Sequence, residues 1–228
     1  PGLQLVFEVI RKVILEISGD NEREFILRFQ QLSGAVMAKG GEDTAFYCYN
    51  RLVSLNEVGG DPGCFGCNIE IFHEFCKYNQ IHWPDTMLTT STHDTKRGED
   101  VRMRINLLSE IPGKWKATVE RWLQNNEHLN QNKEVDNNTW YFIYQTLIGC
   151  WPIGKERFTN YMIKAIREAK VYTKWKEINQ DYEKAVLIYI DGLLEDTDFI
   201  AELEAFLKEI IFAARICSMA VTLLKYTC

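Results

Sequence analysis

The scarcity of helix-breaking residues constrains the fold of this chain more than any other feature of its sequence. Its 228 residues include 14 glycines and 5 prolines, and no proline follows Pro152. Proline removes a backbone donor and clashes with the preceding helical turn, and glycine weakens a helix, so a chain with few of both can form long helices. Apolar residues also recur at helical spacing. The sequence therefore predicts a mainly α-helical protein.

Several segments combine apolar periodicity with signals for a helix start or stop. They are residues 3–17 with Gly19 as stop, 22–32 with Gly34 as stop, 68–79, 101–108, a segment opened by Pro112, 139–151, 156–172, 182–194 and 197–225. Residues 86–92 (TMLTTST) are rich in β-branched side chains and give the one clear strand signal. The asparagine-rich residues 125–138 predict a solvated loop.

One region departs from this helical pattern. Seven of the fourteen glycines lie between Gly34 and Gly66, among polar and aromatic residues. Glycine inside a helix or strand costs about 0.5–1 kcal/mol relative to alanine, so such density indicates irregular structure with a function. The sequence predicts a functional loop here.

Composition and charge exclude several classes of protein. The chain carries 26 basic and 32 acidic residues, which argues against a nucleic-acid partner because phosphate neutralisation needs clustered Lys and Arg. No apolar run approaches the length that crosses a bilayer, and we expect no membrane partner. Seven cysteines, an odd number, favour a reduced, cytoplasmic compartment. Because the chain starts at Pro1 and stops inside an apolar segment, we expect it to be a piece of something longer.

The sharpest polar cluster follows the strand signal. It consists of Thr92-His93-Asp94-Thr95-Lys96-Arg97, with Glu99 and Asp100 behind it. A carboxylate and an imidazole at the end of a strand would face a bound ligand if that strand belonged to a parallel barrel. An equally weighted alternative is that Asp94 or Thr95 only caps the following helix.

Longer stretches carry a resemblance to a known family. TSTHDTKRGEDVRMRINLLSEIP and FQQLSGAVMAKGGEDTAFYCYNRLVSLNEVGGDP resemble the maltooligosyltrehalose synthases of the α-amylase superfamily (glycoside hydrolase family 13), and the likeness continues through YQTLIGCWP, MIKAIREAK and TLLKYT. The resemblance implies an isomerase of trehalose biosynthesis. Such an enzyme converts the reducing-end α-1,4 linkage of a maltooligosaccharide into an α,α-1,1 linkage, and it needs no cofactor.

The resemblance also implies residue roles. His93-Asp94 resembles the histidine and aspartate at the seventh strand of the superfamily's (β/α)8 barrel, so that Asp94 would stabilise the transition state and His93 would bind the sugar. Further contacts to substrate are expected from residues of the glycine-rich segment and from the two cations beside the turn: Lys39, Glu42, Asp43, Tyr47, Lys96 and Arg97. The enzyme interpretation holds if Lys39, Glu42, Asp43, His93 and Asp94 converge on one concave surface, whereas a His-Asp pair that points away from the glycine-rich segment would favour a non-catalytic module.

The nucleophile and the acid/base of the family have no counterpart in this sequence. We therefore expect a helical bundle portion with at most one or two strands left from a fragmentary (β/α)8 barrel, inactive by itself. The expected division is a helical hairpin over residues 1–34, a partial barrel region over 35–110 and a helical bundle over 111–228. Without barrel neighbours, residues 86–92 should be irregular or paired with another copy, and exposed apolar surface should drive self-association.

Other interpretations stay open at this point. The chain could be a helical protein-interaction module without catalysis, in which the His-Asp turn is only a cap. A metal-dependent phosphohydrolase would need further ligands, which His82 and His128 do not supply. Cys64, Cys67, His73 and Cys76 have spacing that could suit zinc, although we expect no metal and interpret these cysteines as incidental.

Overall fold

Every regular element among the described residues, which are 2–15, 20–130 and 134–227 of this computed structural model, is a helix. The chain divides into two compact units, residues 1–43 and residues 44–228. A mainly α-helical fold is therefore confirmed. Within the described residues, none of the helices combines the length and the apolar character needed to span a membrane.

The first unit contains the two helices expected near the N-terminus. These are α1 (Gly2–Leu15) and α2 (Asp20–Val36), which contact each other. Gly19, the expected stop of the first helix, lies outside the described residues. The stop predicted at Gly34 is wrong, because α2 continues to Val36 and a π-helical segment follows over Met37–Ala45. A single glycine lowers helix stability only slightly, and neighbouring turns override it.

The second unit contains the remaining helices. They are α3 (Phe46–Cys48), α4 (Ile69–His82), α5 (Glu99–Asn106), α6 (Pro112–Asn125), α7 (Asn137–Cys150), α8 (Lys155–Ala169), α9 (Gln180–Glu195) and α10 (Thr197–Thr227). Short 3-10 turns occur at Val53–Leu55, Leu107–Ser109 and Glu127–Asn130. Each helix predicted in this half of the chain is present.

Side-chain caps explain where several of these helices begin. The carboxamide oxygen of Asn68 accepts a hydrogen bond from the Ile71 amide at 2.8 Å at the start of α4. Asp136 accepts from the amides of Asn138 and Thr139 at the start of α7. Such caps satisfy amides that have no partner within the helix. Pro112 opens α6, as its fixed φ favours.

Helix α7 is the centre of the second unit. Its residues from Phe142 to Gly149 are all buried. Contacts from α5 reach α7 and α10, while α9 contacts α8 and α10. The largest fully buried side chains come from several of these helices: Trp122, Tyr144, Phe158, Tyr189, Ile190 and Met162. Residues 142–149 are mostly apolar, as a helix buried on all sides requires, and the buried side chains of Gln145 and Thr146 donate hydrogen bonds to backbone carbonyls.

Residues 86–92, which carry the strand signal, are irregular, as expected for a segment without barrel neighbours. Side chains bind carbonyl groups that a neighbouring strand would otherwise pair. The Lys225 ammonium donates to the Thr89 carbonyl, and the Arg102 guanidinium donates to the Thr90 carbonyl at 3.3 Å. Helices α10 and α5 thus hold this segment through their basic side chains.

Two loop predictions need correction. The glycine-rich segment is irregular only from Tyr49 onward, because residues 37–48 are helical. The asparagine-rich stretch is less solvated than predicted, since Asn126 and Asn130 are buried. Asn130 exchanges two hydrogen bonds with the backbone of Val135, at 2.9 and 3.1 Å. A buried amide with both its polar atoms bonded to backbone is stable, which the polarity of the sequence alone does not reveal.

Candidate functional site

The His93-Asp94 pair occupies the exposed tip of a turn that two threonines close. The Thr92 amide donates to the Thr95 hydroxyl at 2.7 Å, and the Thr95 amide donates to the Thr92 carbonyl at 3.3 Å. The two hydroxyl oxygens are 3.1 Å apart. This reciprocal bonding fixes the backbone on both sides of the pair. Among the described residues, none forms a hydrogen bond or an ion pair with the Asp94 carboxylate.

The alternative that Asp94 or Thr95 caps the next helix is wrong. Helix α5 begins at Glu99, its N-cap is Gly98, and no side chain makes a capping bond there. The Thr95 hydroxyl is engaged within the turn instead. Asp94 therefore has no capping role in the fold, and its carboxylate is available to a ligand.

A carboxylate outside the turn holds its C-terminal side. Glu57 Oε1 accepts from the Lys96 amide at 2.7 Å, and Glu57 Oε2 accepts from the Arg97 amide at 3.1 Å. Oε1 also accepts from the Val58 amide at 2.9 Å. Hydrogen bonds to a charged acceptor are stronger than neutral ones. Glu57 thus connects the glycine-rich segment to the His-Asp turn.

The glycines after Glu57 shape the turn that presents it. The Gly60 amide donates to the Glu57 carbonyl at 2.8 Å, and Gly59 between them has a φ of 74°. A positive φ at this position is typical of a type II turn and favours glycine. A Cβ on Gly60 would lie 2.9 Å from the Glu57 carbonyl oxygen. Both glycines are therefore needed for this backbone path.

Arg97 is a buried anchor of the turn. Its side chain is only 7% exposed. The guanidinium donates to the Asn56 carbonyl at 3.4 Å and to the Tyr161 hydroxyl at 3.2 Å, and it lies 5.6 Å from the centroid of the Phe142 ring. Burial raises the pKa of Tyr161, so that the phenol stays protonated. The arrangement fixes Arg97 to α7 and α8.

Lys96 and Tyr47 are brought together beside this anchor. The Lys96 ammonium lies 5.8 Å from the centroid of the Tyr47 ring, within the range of a cation–π interaction. Tyr47 is buried and meets Phe142 edge to face at 6.5 Å. Of the predicted substrate-binding residues, Tyr47 and Arg97 thus contact Phe142, and Lys96 lies against Tyr47.

Buried amides hold the irregular segment that carries Glu57. Gln145 of α7 accepts from the Val53 amide at 2.9 Å and donates to the Asn50 carbonyl at 2.8 Å. Asn56 donates to the carbonyls of Phe46 and Tyr49. These bonds satisfy backbone groups that an irregular buried segment would otherwise leave unpaired. They attach the loop to the centre of the bundle.

The helix that follows the turn is held from the far end of the chain. Glu99 is buried at the start of α5, and its Oε1 accepts from Ser218 at 3.1 Å and from Thr222 at 3.2 Å. The Ser218 hydroxyl also lies 2.7 Å from Asp100 Oδ1. Acidic residues in a first turn interact favourably with the helix dipole. Two hydroxyl-bearing residues of α10 add direct bonds to this effect.

Three other predicted residues belong to the first unit. Lys39 forms an ion pair with Asp43 within the π-helical segment, and Glu42 lies between them. His93 and Asp94 belong to the second unit. Convergence of the two groups on one surface stays a prediction.

The possible zinc ligands have no geometric support. No group of three or more His, Cys, Asp or Glu side chains within residues 2–15, 20–130 and 134–227 could hold a metal ion. Cys64 and Cys67 are exposed, and Cys76 is half-buried on α4. The spacing in sequence alone did not reveal that their side chains diverge.

Sequence reasoning missed the residues that support the turn. Glu57, Asn56 and Gln145 show no motif of their own, and apart from the neighbouring Val58 amide their partners are backbone groups 7 to 95 residues away along the chain. One signal in the sequence was the Gly59-Gly60 pair, which follows the acidic Glu57 by two residues. Glycine pairs often mark a turn in which one residue has a positive φ, as Gly59 has here.

Curated proteins that are similar in sequence to this chain carry the names of enzymes. No family model matches the chain. A putative maltooligosyl trehalose synthase of Mycobacterium tuberculosis (strain H37Rv) is 37% identical over 235 aligned positions, which cover 97% of this chain and 29% of that protein. The chain thus spans about three tenths of the length of the curated relatives it matches.

Solved structures agree with the sequence comparison. A protein described as DSM5389 glycosyltrehalose synthase superimposes with a TM-score of 0.81 at 42% identity, covering 92% of this chain and 30% of that one. A hypothetical maltooligosyl trehalose synthase of Sulfolobus tokodaii gives a TM-score of 0.79 at 41% identity, covering 87% and 28%. About nine tenths of this chain is therefore similar in structure to a section of these larger proteins.

Proposed function

Because the chain belongs to the maltooligosyl trehalose synthase family, as a section of about three tenths of its members' length, we propose that it carries the transition-state-stabilising part of such an enzyme. The proposed reaction is an intramolecular transglycosylation. It converts the reducing-end α-1,4 linkage of a maltooligosaccharide into an α,α-1,1 linkage, so that the product ends in a trehalosyl unit. The substrate is a maltooligosaccharide, and no nucleic-acid partner is involved.

The chemistry requires a fixed carboxylate beside the sugar ring. Retaining glycosyl transfer passes through an oxocarbenium-like transition state twice, once when the old linkage breaks and once when the new one forms. A carboxylate that is already in place stabilises the developing positive charge without reorganisation. Asp94 performs this role, and His93 donates a hydrogen bond to a sugar hydroxyl.

The observation that carries the proposal is the state of the His93-Asp94 turn. Both side chains are exposed, the Asp94 carboxylate has no bond to the described residues, and the turn itself is closed by Thr92 and Thr95. A rigid turn with an unused carboxylate suits ligand binding better than structural support. The absence of any capping bond at Gly98 favours this function over that of a non-catalytic interaction module.

The remaining predicted substrate residues divide by exposure. Tyr47 and Arg97 are each 7% exposed, so they contribute by holding Lys96 and the turn in place. The exposed Lys39 and the half-buried Glu42, Asp43 and Lys96 are the candidates for direct bonds to sugar hydroxyls. Charged groups and aromatic faces are the usual partners of sugar rings in pockets.

The section acts only together with the rest of the enzyme. The nucleophile and the acid/base belong to parts of the full-length enzyme that have no counterpart in this sequence. The division at residues 34/35 and 110/111 and the cytoplasmic location, which the seven cysteines favour, are parts of this proposal.

Replacing the proposed stabiliser tests the function directly. In the full-length enzyme that contains this section, Asp94→Asn should lower kcat by a factor of about 10³ or more, because a charge that binds the transition state is lost. Asp85→Asn removes an exposed carboxylate from the same irregular region and serves as the matched control, with unchanged kcat. Loss of reducing ends from maltopentaose measures the reaction.

Two outcomes would contradict the proposal. One is trehalosyl formation at the normal rate by Asp94→Asn. The other is measurable conversion of maltopentaose by the 228-residue chain alone, which we expect to give no product.

A further inference from the structure

We propose that Glu57 is a positioning residue that sets the place of the Asp94 carboxylate by holding the backbone just after it. The inference rests on the proposed function, since it concerns the same turn. It adds to that function a residue 37 positions upstream of Asp94 in the sequence, whose carboxylate bonds to the backbone amides of Val58, Lys96 and Arg97.

The whole Glu57 carboxylate takes part in hydrogen bonds to the backbone. Both carboxylate oxygens of Glu57 are used, Oε1 by the amides of Lys96 and Val58 and Oε2 by the amide of Arg97. A carboxylate that accepts three backbone bonds is strongly held in one rotamer. Since Lys96 and Arg97 directly follow the turn, their amides can shift only if Glu57 shifts.

The turn that carries Glu57 and the side chain of Arg97 are held by bonds that do not involve the Glu57 side chain. The turn that carries Glu57 is closed by the Gly60 amide and the Glu57 carbonyl, which are backbone groups. Removing the Glu57 side chain leaves this turn in place. The Arg97 guanidinium is likewise attached separately, to Asn56, Tyr161 and Phe142. A change at Glu57 therefore affects the turn backbone without removing the other anchors.

The rate of a catalysed reaction is sensitive to small displacements of the groups at the reacting centre. A displacement of about 1 Å of a group at the reacting centre can cost about 100-fold in rate. Two of the bonds that restrain the backbone after Asp94 end on one side chain, while the bonds between Thr92 and Thr95 fix the turn internally. Without Glu57 the turn keeps its internal bonds and the Arg97 side chain stays attached, but the backbone between Asp94 and Arg97 loses two of the bonds that restrain it.

Two variants separate positioning from folding. Glu57→Ala removes all three bonds. Glu57→Gln preserves the length and keeps one oxygen, which can still accept from Lys96 and Val58, but it places an amide donor against the Arg97 amide. Glu70→Ala, which removes an exposed carboxylate from the first turn of α4, is the control for loss of charge.

The first experiment measures amide hydrogen exchange in the 228-residue chain by NMR. In Glu57→Ala, we expect the amides of Lys96 and Arg97 to exchange at least about tenfold faster, because each loses a bond to a charged acceptor. In Glu57→Gln, the Arg97 amide should be affected more than the Lys96 amide. Protection of the Thr92 amide and the thermal unfolding midpoint should stay close to the wild-type values.

The second experiment measures kinetics in the full-length enzyme. We expect Glu57→Ala to lower kcat by about 100-fold with little change in KM, since the transition state depends on carboxylate position more than the bound substrate does. Glu57→Gln should recover part of the lost kcat, and Glu70→Ala should behave as wild type. Combined with Asp94→Asn, Glu57→Ala should cause no further loss, because both changes act through the same group.

The outcomes distinguish the two proposals. If Asp94→Asn retains full activity, the proposed function fails, whatever Glu57 does. If Asp94→Asn loses activity while Glu57→Ala keeps its kcat, or if the Lys96 and Arg97 amides remain protected in Glu57→Ala, the positioning role of Glu57 is overturned. A uniform loss of protection and stability in both Glu57 variants would also overturn it, since Glu57 would then support the whole fold.

Discussion

At the scale of single residues, the thiols of this chain differ strongly in their surroundings. Cys150 lies at the end of α7, and its thiol donates to the Thr146 carbonyl at 2.8 Å. Burial raises the pKa of Cys150 to about 11, against the lowering effect of Arg104 and Arg157 nearby. The thiols of Cys64 and Cys67 are exposed in the irregular segment before α4. These differences predict an order of reactivity.

We expect Cys150 to be alkylated by iodoacetamide at least about tenfold more slowly than Cys64 and Cys67 at pH 7.5, because only the thiolate reacts. Since the raised pKa favours the protonated form, the rate at Cys150 should keep rising with pH up to about 11. Peptide mass spectrometry gives the rate at each site. Unfolding in urea is the control, where the three rates should become similar; equal rates in the folded chain would contradict the prediction.

Individual site residues were predictable only where they form a recognisable motif. His93 and Asp94 stand side by side after a strand signal, and the resemblance gave both of them roles. The burial of Arg97 and the part played by Glu57 follow from contacts with residues about 40 positions away in the sequence. No local pattern indicates such contacts, so they could not be foreseen.

At the scale of helices, the approach of α7 to α5 depends on a missing side chain. A Cβ on Gly149 would lie 2.7 Å from Val101 Cγ1 and 2.9 Å from Ile105 Cδ1. Both distances are well below van der Waals contact. Glycine is therefore required here for packing rather than for backbone conformation.

Gly149→Ala should lower the free energy of unfolding of the second unit by about 1–2 kcal/mol, because overpacking outweighs the gain in helix propensity. The matched control is Gly113→Ala on α6, where a Cβ meets nothing within 4 Å and a slight gain is expected. Urea titration followed by tryptophan fluorescence reports this unit, since all six tryptophans follow residue 43. A Gly149→Ala variant as stable as wild type would show that α5 can move aside.

Helices were the most predictable elements, because periodicity and caps are local. The bounds of α4 and α10 agree with the expected segments to within about three residues, and α6 begins at Pro112 as expected. The glycine-rich segment was predicted less well, since its first part is helical through Cys48. Glycine content indicates how much stability a helix loses. It does not show whether the neighbouring turns are stable enough to compensate for that loss.

At the scale of the whole molecule, the second unit presents uncovered apolar surface. An apolar stripe along the C-terminal half of α10 consists of exposed residues three or four positions apart: Phe212, Ile216, Met219, Leu223 and Tyr226. Helix α4 and the residues after it add further exposed side chains, among them Ile81 and Trp83. Patches of this extent usually mark a surface that another protein surface covers. In the full-length enzyme, we expect the rest of the polypeptide to cover it.

The isolated chain should self-associate through this apolar stripe. Light scattering should give a mass above 26.6 kDa that increases with concentration, together with binding of a hydrophobic dye. Met219→Lys places a charge within the stripe and should reduce both signals. Ala201→Lys, an exposed change near the start of the same helix, should not. A concentration-independent monomer that binds little dye would contradict this prediction.

The mainly helical architecture and the family followed from the sequence, whereas the division into two units at residue 43 did not. Helical periodicity and the resemblance to the family both extend over most of the chain. Many separate segments of the sequence therefore indicate the same fold and the same family. The boundary at Asp43 falls inside the π-helical segment, where no change of composition marks it. The boundary between the two units is set by the density of contacts within each unit. The residue types at the boundary do not indicate that density.

The bonds between Glu99 and the pair Ser218 and Thr222 have a consequence for the order of assembly during synthesis. These partners are about 120 residues apart, and the hydroxyl groups lie near the end of the sequence. As a ribosome makes the chain, the buried Glu99 carboxylate at the start of α5 has neither hydroxyl partner until almost all of the second unit has been synthesised. The start of α5 therefore reaches its final support late, and ribosome-bound nascent chains that stop before Ser218 should have it incompletely fixed.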